Sequence, residues 1–158
     1  MPENGYHLAQ INIGRIRAPL DHPVMEGFVS QLDAVNALAE QSPGFVWRFQ
    51  TGEGNATAVQ AYQDPLVIIN LTVWETVEDL FNYVYRSAHS AALRERKSWF
   101  EPYGSLYMAL WWVEAGQLPT VEEGKAKLEL LTREGPTPAA FNFKIRFPAP
   151  SEGKISEE

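Results

Sequence analysis

The chain has no cysteine among its 158 residues. It therefore forms no disulfide, and it offers no thiolate as a nucleophile or as a ligand for zinc or an iron–sulfur cluster. It also has no apolar run near the roughly 20 residues that a membrane-spanning helix needs. Its first residues lack the basic and then apolar pattern of a signal peptide. These absences predict a cytoplasmic protein with no membrane partner.

Basic residues are scarce as well. The chain has 13 lysines and arginines against 20 aspartates and glutamates, which gives a formal net charge of −7 at pH 7. A net acidic chain repels the phosphate backbone, so we expect no nucleic-acid partner. The three histidines are scattered, and no spacing of metal-ligating residues predicts a metal site.

Apolar and aromatic residues, in contrast, are plentiful. Hydrophobic residues make up 45% of the chain and aromatic residues 12%, which predicts a globular fold. At this length we expect a single domain over residues 1–150, followed by a disordered acidic tail over residues 151–158. Five tryptophans require either an extensive core or a concave aromatic pocket.

The most informative stretch is a predicted strand that runs into a long helix. Leu66–Trp74 is almost continuously apolar, which is typical of a central strand covered on both sides. Thr76 then fits a helix N-cap, with Asp79 three residues later as in a capping box. Beside the apolar face of this helix lies a row formed by Phe81, Tyr85 and His89. The row either faces a ligand or closes the edge of the core, and the sequence leaves both interpretations open.

The remaining elements follow from alternating patterns and from helix start and stop signals. In chain order we predict a strand over Tyr6–Gly14, a helix from Asp21–Pro23 to Ser42, strands over Phe45–Gln50 and Leu66–Trp74, the helix after Thr76, a strand over Leu106–Val113, a helix over Pro119–Arg133 and an extended arm over Phe141–Phe147. Alternation places Phe45, Trp47 and Phe49 on one face of the second strand. In the arm it places Phe141, Phe143, Ile145 and Phe147 on one side.

This β-α-β-β-α-β order is that of the α+β ferredoxin-like sheet, extended by a C-terminal helix and arm. The third and fourth strands carry apolar side chains on both faces, so both faces of the sheet must be covered. A second copy of the sheet would cover the free face, which predicts a homodimer that closes into an α/β barrel. The alternative is a monomer whose arm over Phe141–Phe147 folds back across the sheet.

Several segments also resemble a known superfamily. Ser42–Arg48, Leu71–Glu75 and the helix from Tyr83 to His89 are similar to the dimeric α/β-barrel superfamily, which includes the antibiotic biosynthesis monooxygenases. A more specific resemblance is to a domain family of unknown function, DUF3291. The matching motifs are Val73–Glu75, Ser87–His89, Trp99–Pro102, Trp111–Val113 and Glu134–Phe141, so the resemblance covers nearly the whole chain.

The superfamily resemblance implies a cofactor-independent oxygenase that acts on a small aromatic, phenolic or polyketide-like substrate. Such a reaction needs an aromatic pocket, a base for the phenol and donors for the oxyanion. His89 is the natural base because its ordinary pKa is near neutrality. The candidate catalytic residues are His89, Arg48 and Tyr85, and the candidate substrate-binding residues are Asn12, Trp47, Asn70, Trp74, Phe81, Trp99 and Trp112.

Two other functions remain open at this point. A resemblance of Ser87–His89 to carotenoid-oxidising monooxygenases implies a haem protein with His89 as the axial ligand, whereas the first hypothesis needs no cofactor. A homodimer that binds a small aromatic molecule without catalysis is the third hypothesis.

Overall fold

Four antiparallel strands form a sheet in the computed structural model, which describes residues 5–19, 21–49, 66–86 and 108–150. The strands are β1 (Tyr6–Arg15), β2 (Phe45–Arg48), β3 (Val67–Trp74) and β4 (Met108–Glu114). Their spatial order is β2-β3-β1-β4, so β1 and β3 lie at the centre. All three neighbouring pairs are antiparallel. This confirms the predicted α+β, ferredoxin-like architecture.

Within the residues that the structure describes, three α-helices pack on this sheet. They are α1 (Glu26–Gln41), which follows a short 3-10 turn over Pro23–Met25, α2 (Val77–Arg86) and α3 (Val121–Glu134). The predicted N-cap of α2 is confirmed, because Thr76 Oγ1 accepts a hydrogen bond from the backbone nitrogen of Asp79 at 3.0 Å. Among the described helices, none is both long and apolar enough to cross a bilayer.

The sheet has two different covers. On the side that carries Leu8, which we call the helical face, Leu8 and Trp74 pack with Ala39 of α1 and Leu80 of α2. On the side that carries Ile11, which we call the α3 face, strand residues pack against Leu128 and Leu131 of α3. The approach of α3 is so close that a Cβ on Gly124 would lie 2.8 Å from Ile11 Cδ1.

The cover of the α3 face differs from both sequence-based alternatives. Helix α3 of the same chain lies over β1 and β4, so neither a second sheet nor the arm is needed to bury that part of the sheet. Ile11 and Trp111 are accordingly buried within one chain. The homodimer stays a prediction, but the apolar face of the sheet no longer requires it.

The predicted alternation of the second strand is wrong. A β-bulge shifts the register between Phe45 and Trp47. Phe45 therefore packs on the helical face, whereas Trp47 and Phe49 pack on the α3 face. A bulge places two residues opposite one on the neighbouring strand, so the side chains beyond it change sides.

The predicted extended arm is correct only at its start. Phe141 exchanges two backbone hydrogen bonds of 2.8 Å with Leu110, but the chain then turns. The turn is held by Asn142 Oδ1, which accepts a hydrogen bond from the backbone nitrogen of Ile145 at 2.8 Å. Phe143 and Phe147 still pack against the helical face, whereas Ile145 is 51% exposed. The predicted alternation fails because an asparagine side chain competes for the backbone donor.

Candidate functional site

The helical face changes from apolar to polar along the central strands. At one end Leu8 lies between Trp74 and Trp112, and at the other end Asn12 lies between Asn70 and Met108. The open end consists of two amide side chains flanked by two half-buried apolar ones. We call this group, Asn12, Ile68, Asn70 and Met108, the amide patch.

The two amides face each other across the central strands. Asn12 and Asn70 are directly opposite in the β1–β3 register, and residues so placed have Cβ atoms roughly 5 Å apart. Asn12 is half-buried and Asn70 is exposed. The structure thus brings together two of the predicted substrate-binding residues, at a place that solvent reaches.

A buried hydrogen-bonded chain lies behind the amide patch. Gln10 Nε2 donates to Asn70 Oδ1 and to Thr72 Oγ1, both at 2.9 Å. Thr72 Oγ1 also accepts from Trp74 Nε1 at 2.9 Å. Gln10 is 4% exposed and Thr72 is 5% exposed, so these bonds form in an environment where an unpaired polar group would be destabilising.

Gln10 and Thr72 were missed by the sequence analysis, as were Ile68 and Met108. A signal was available, because residues two apart on a strand share a face, which groups Gln10 with Asn12 and Thr72 with Asn70. That the two groups meet depends on the β1–β3 register, which neither strand specifies alone.

Trp74 is a core residue rather than an open pocket wall. It is fully buried. Its ring makes an edge contact with Phe45 at 5.5 Å between centroids and a tilted contact with Tyr83 at 5.1 Å. It is connected to the site through its indole N–H, which donates a hydrogen bond to Thr72 Oγ1.

Arg48 lies near the same network but is already engaged. It pairs with Thr72 in the β2–β3 register. Its Nε lies 2.7 Å from Glu40 Oε2 of α1, and its side chain is 12% exposed. A bond of this kind fixes β2 against α1. The structure therefore places this predicted catalytic residue beside the buried chain, with one guanidinium donor committed to a carboxylate.

Phe81 and Tyr85 belong to a separate cluster with the arm. Their ring centroids are 4.8 Å apart, and each ring also contacts Phe143, at 5.4 and 5.9 Å. Arg146 closes the group, since its guanidinium lies 5.0 Å from the Phe81 centroid and 2.7 Å from Glu78 Oε1. None of these ring, cation–π or ion-pair contacts within the described residues involves a residue of the amide patch. Tyr85 is 51% exposed, which fits an edge of the core.

The last predicted residues lie elsewhere. Trp47 packs on the α3 face, so the sheet itself separates it from the amide patch. Trp112 shares the helical face, but its Nε1 donates to the carbonyl of Phe147 at 2.9 Å and thereby holds the arm. His89 and Trp99 lie outside the described residues, so the axial ligand of the haem hypothesis, which is the same His89, lies outside them too.

An open cleft of about 290 Å³ lies at the start of α1. It is lined by Asp21, His22, Pro23, Glu26, Val29 and Ser30. His22 Nδ1 is occupied, because it accepts a hydrogen bond from the backbone nitrogen of Val24 at 3.1 Å. Within the part of the chain that the structure describes, no group of three metal-ligating side chains is present.

Three solved structures resemble the chain at low identity. The crystal structure of PA3566 from Pseudomonas aeruginosa is 13% identical with a TM-score of 0.47, and the match covers 72% of this chain and 98% of that one. The NE2512 protein of unknown function from Nitrosomonas europaea is 13% identical with a TM-score of 0.44, covering 74% and 98%. A protein from Nitrosomonas europaea, named only provisionally as an antibiotic biosynthesis monooxygenase, is 12% identical with a TM-score of 0.45, covering 73% and 95%. Sequence identities and TM-scores this low say nothing about the activity of this chain.

The family assignment rests on a different comparison. No curated protein matches the chain. A family model does match, over residues 7–157, which is nearly the whole chain and includes every strand and helix described above except the first residue of β1. The chain therefore belongs to the domain family of unknown function DUF3291.

Proposed function

We propose that this chain is a cofactor-independent, monooxygenase-like protein that binds a small phenolic or polyketide-like aromatic molecule at the amide patch. The observation that carries the proposal is the placement of Asn12 and Asn70 opposite each other on the two central strands, with Asn70 exposed. Ile68 and Met108 provide half-buried apolar contacts on either side. A ring with one polar oxygen matches this combination, because apolar contacts hold the ring and a few placed polar groups orient it.

The proposed monooxygenase reaction requires stabilisation of a phenolate. Deprotonation of the phenol yields an electron-rich anion that transfers electrons to O₂. One oxygen atom then enters the ring and the other leaves as water, with the substrate supplying the electrons. Amide N–H donors fixed at the phenolate oxygen favour the anion and the charged states that follow it. In this proposal the amides of Asn12 and Asn70 provide these donors.

The proton acceptor is assigned by chemistry and by the superfamily resemblance. His89 is proposed as the base because an imidazole with an ordinary pKa near neutrality accepts a phenol proton at physiological pH. The described contacts engage Arg48 Nε with Glu40 and the Tyr85 ring with Phe143, so this proposal assigns neither residue to the reacting oxygen. Their proposed contribution is to hold β2 and α2 in place.

Oxygen uptake tests the proposal directly. With a dihydroxynaphthalene as the probe, the wild-type protein should consume one O₂ per quinone formed. His89→Gln should lower turnover by about 10²–10⁴-fold with little change in melting temperature, since a positioned base contributes that much. Asn70→Asp keeps the shape of the side chain but replaces the donor with a carboxylate, so binding of the probe should weaken.

Asn82→Asp is the matched control, because Asn82 is an exposed asparagine on α2 that is not part of the amide patch. It should leave both turnover and binding unchanged. Binding without oxygen uptake would overturn the catalytic part and leave a small-molecule-binding protein. No binding of any hydroxylated aromatic, with His89→Gln changing stability alone, would overturn the whole proposal.

A further inference from the structure

A glutamine buried in the sheet interior needs a physical reason. On the helical face Gln10 lies between Thr72 and Leu110, and it is almost completely buried. A leucine would fill a similar volume and would require no hydrogen-bond partners. An amide in this position instead needs its polar atoms satisfied, because leaving them unpaired is destabilising. Both N–H groups of Gln10 are in fact used, one by Asn70 and one by Thr72.

The buried Trp74 indole determines which group donates and which accepts in these hydrogen bonds. The indole N–H of Trp74 can only donate, so Thr72 Oγ1 must accept from it. The second lone pair of the Thr72 hydroxyl then accepts from Gln10. If Gln10 were reversed and accepted from Thr72 instead, both of its buried N–H groups would lose these acceptors. Unpaired buried N–H groups are rarer in proteins than carbonyl oxygens with spare lone pairs.

The direction of the bond from Gln10 also determines the orientation of the exposed Asn70 amide. Because Gln10 donates, Asn70 must present its Oδ1 inward, at 2.9 Å. The Nδ2 of the same planar amide is then directed away from Gln10, and Asn70 is exposed. Within the described residues Nδ2 makes no hydrogen bond. Asn70 therefore presents two N–H donors on its exposed side rather than a carbonyl oxygen.

We propose that Gln10, held by Thr72, is a positioning residue that fixes Asn70 as a hydrogen-bond donor and thereby makes the amide patch select an anionic oxygen. This inference rests on the proposed function, because it names which form of the phenolic ligand binds. The preferred ligand is the phenolate, and a ligand whose oxygen is alkylated should bind less well.

The orientation is testable on the protein without ligand. A scalar coupling across the hydrogen bond should join the Gln10 side-chain nitrogen to Asn70 Cγ in an NMR experiment. A coupling from the Asn70 side-chain nitrogen to Gln10 Cδ, or the absence of any coupling between the two side chains, would overturn the proposal. This measurement does not depend on whether any phenol binds, so its failure is separate from a failure of the proposed function.

Calorimetric titration then tests the selectivity. Wild-type protein should bind para-nitrophenol more tightly as the pH rises and the phenol ionises, and should prefer it over para-nitroanisole by about tenfold, the size expected when one hydrogen bond to a charged oxygen is lost. Gln10→Met, which keeps the volume and removes the donors, should abolish this preference while the affinity for para-nitroanisole stays within twofold. Thr72→Val, which removes the hydroxyl, should reduce the preference. Thr72→Ser, which keeps the hydroxyl, should retain the preference.

A purely structural role of Gln10 predicts a different pattern. In that case Gln10→Met would lower the melting temperature and weaken both probes equally, with the pH dependence of para-nitrophenol binding unchanged, and this result would overturn the inference. If the wild-type protein binds neither probe, the proposed ligand class fails and the claim of selectivity for an anionic oxygen fails with it. The NMR result then stands alone for the orientation of Asn70.

Discussion

Tyr83 is a half-buried residue of α2 that links this helix to a second helix. Its hydroxyl donates to the carbonyl of Val35 in α1 at 3.2 Å. Its ring also packs on Trp74. One side chain therefore joins α2 to both α1 and the sheet. Burial raises the pKa of the Tyr83 phenol well above its ordinary value of 10.0, because the apolar surroundings disfavour the phenolate.

The raised pKa predicts a loss of stability at alkaline pH. Above about pH 10 the unfolded chain releases the Tyr83 proton while the folded chain keeps it, so the unfolded state binds fewer protons and stability falls as the pH rises. The stabilisation is fully present below the unfolded pKa. The decline due to this residue approaches about 1.4 kcal/mol per pH unit. Urea denaturation between about pH 9 and about pH 11 should therefore give a shallower pH dependence for Tyr83→Phe than for the wild type.

The variant has a second expected effect. Tyr83→Phe loses the bond to Val35, which should lower the free energy of unfolding at neutral pH by about 1 kcal/mol. Tyr85→Phe is the matched control, because it removes a hydroxyl from an exposed ring on the same helix. An unchanged pH dependence in Tyr83→Phe would contradict the assignment of the alkaline loss to this residue.

At the scale of elements, the close packing of α3 against the sheet depends on one glycine. Gly124 lies in the interior of α3 and is buried. A Cβ at this position would approach Ile11 Cδ1 to 2.8 Å and Ile11 Cβ to 3.3 Å. Ile11 is fully buried in the α3 face, so it has little room to move. The close contact between helix and strand therefore requires a residue without a side chain.

Two effects oppose each other in Gly124→Ala. Alanine favours the helix by about 1 kcal/mol relative to glycine, whereas overpacking of a core costs about 1–3 kcal/mol. We expect overpacking to dominate, so the free energy of unfolding measured with urea should fall by about 1 kcal/mol. The double variant Gly124→Ala with Ile11→Val removes the clashing methyl group. Its loss should be smaller than the sum of the two single losses.

Ala126→Gly measures the difference in helix propensity between alanine and glycine without a packing effect, because Ala126 is exposed on the same helix. It should destabilise the protein by about 1 kcal/mol. If Gly124→Ala instead stabilises the protein by a similar amount, α3 moves away from the sheet at little expense and the packing argument is wrong.

The elements themselves were largely predictable because their signals are local. The caps at Thr76 and Thr120 were both predicted from nearby residues, and both hydroxyls accept the expected backbone hydrogen bonds at 3.0 Å. The bulge in β2 could not be predicted in the same way, since it exists only through pairing with β3. The turn at Asn142 was missed because alternation of apolar residues outweighed the local signal of the asparagine side chain.

The candidate site was predictable only in part for the same reason. Asn12 and Asn70 were candidates because their amides can donate to an oxyanion, but their meeting depends on register between segments distant in sequence. Trp47 was assigned to the wrong surroundings because the bulge moves it to the α3 face. Gln10 was overlooked because its importance comes from its bonds to Asn70 and Thr72, which no single segment reveals.

At the scale of the whole molecule, one chain supplies covers for both faces of the sheet. Helices α1 and α2 contribute to the helical face, and α3 contributes to the α3 face. The exposed side of α3 carries charged residues, namely Glu122, Glu129 and Arg133. Charged residues are depleted in the cores of stable protein interfaces. A dimer in which two bare sheets face each other would have to displace α3 and expose Leu128 and Leu131.

The homodimer nevertheless remains our prediction, now on the ground of the resemblance to the dimeric α/β-barrel superfamily. Sedimentation equilibrium at micromolar concentration should give about twice the chain mass of 17.8 kDa. Glu129→Lys on the exposed side of α3 locates the contact: an unchanged mass places the interface elsewhere, whereas dissociation places α3 within it. Lys144→Glu, an exposed change on the arm, is the matched control. A wild-type mass of 17.8 kDa would contradict the prediction, and the resemblance to the superfamily would then not extend to its dimeric state.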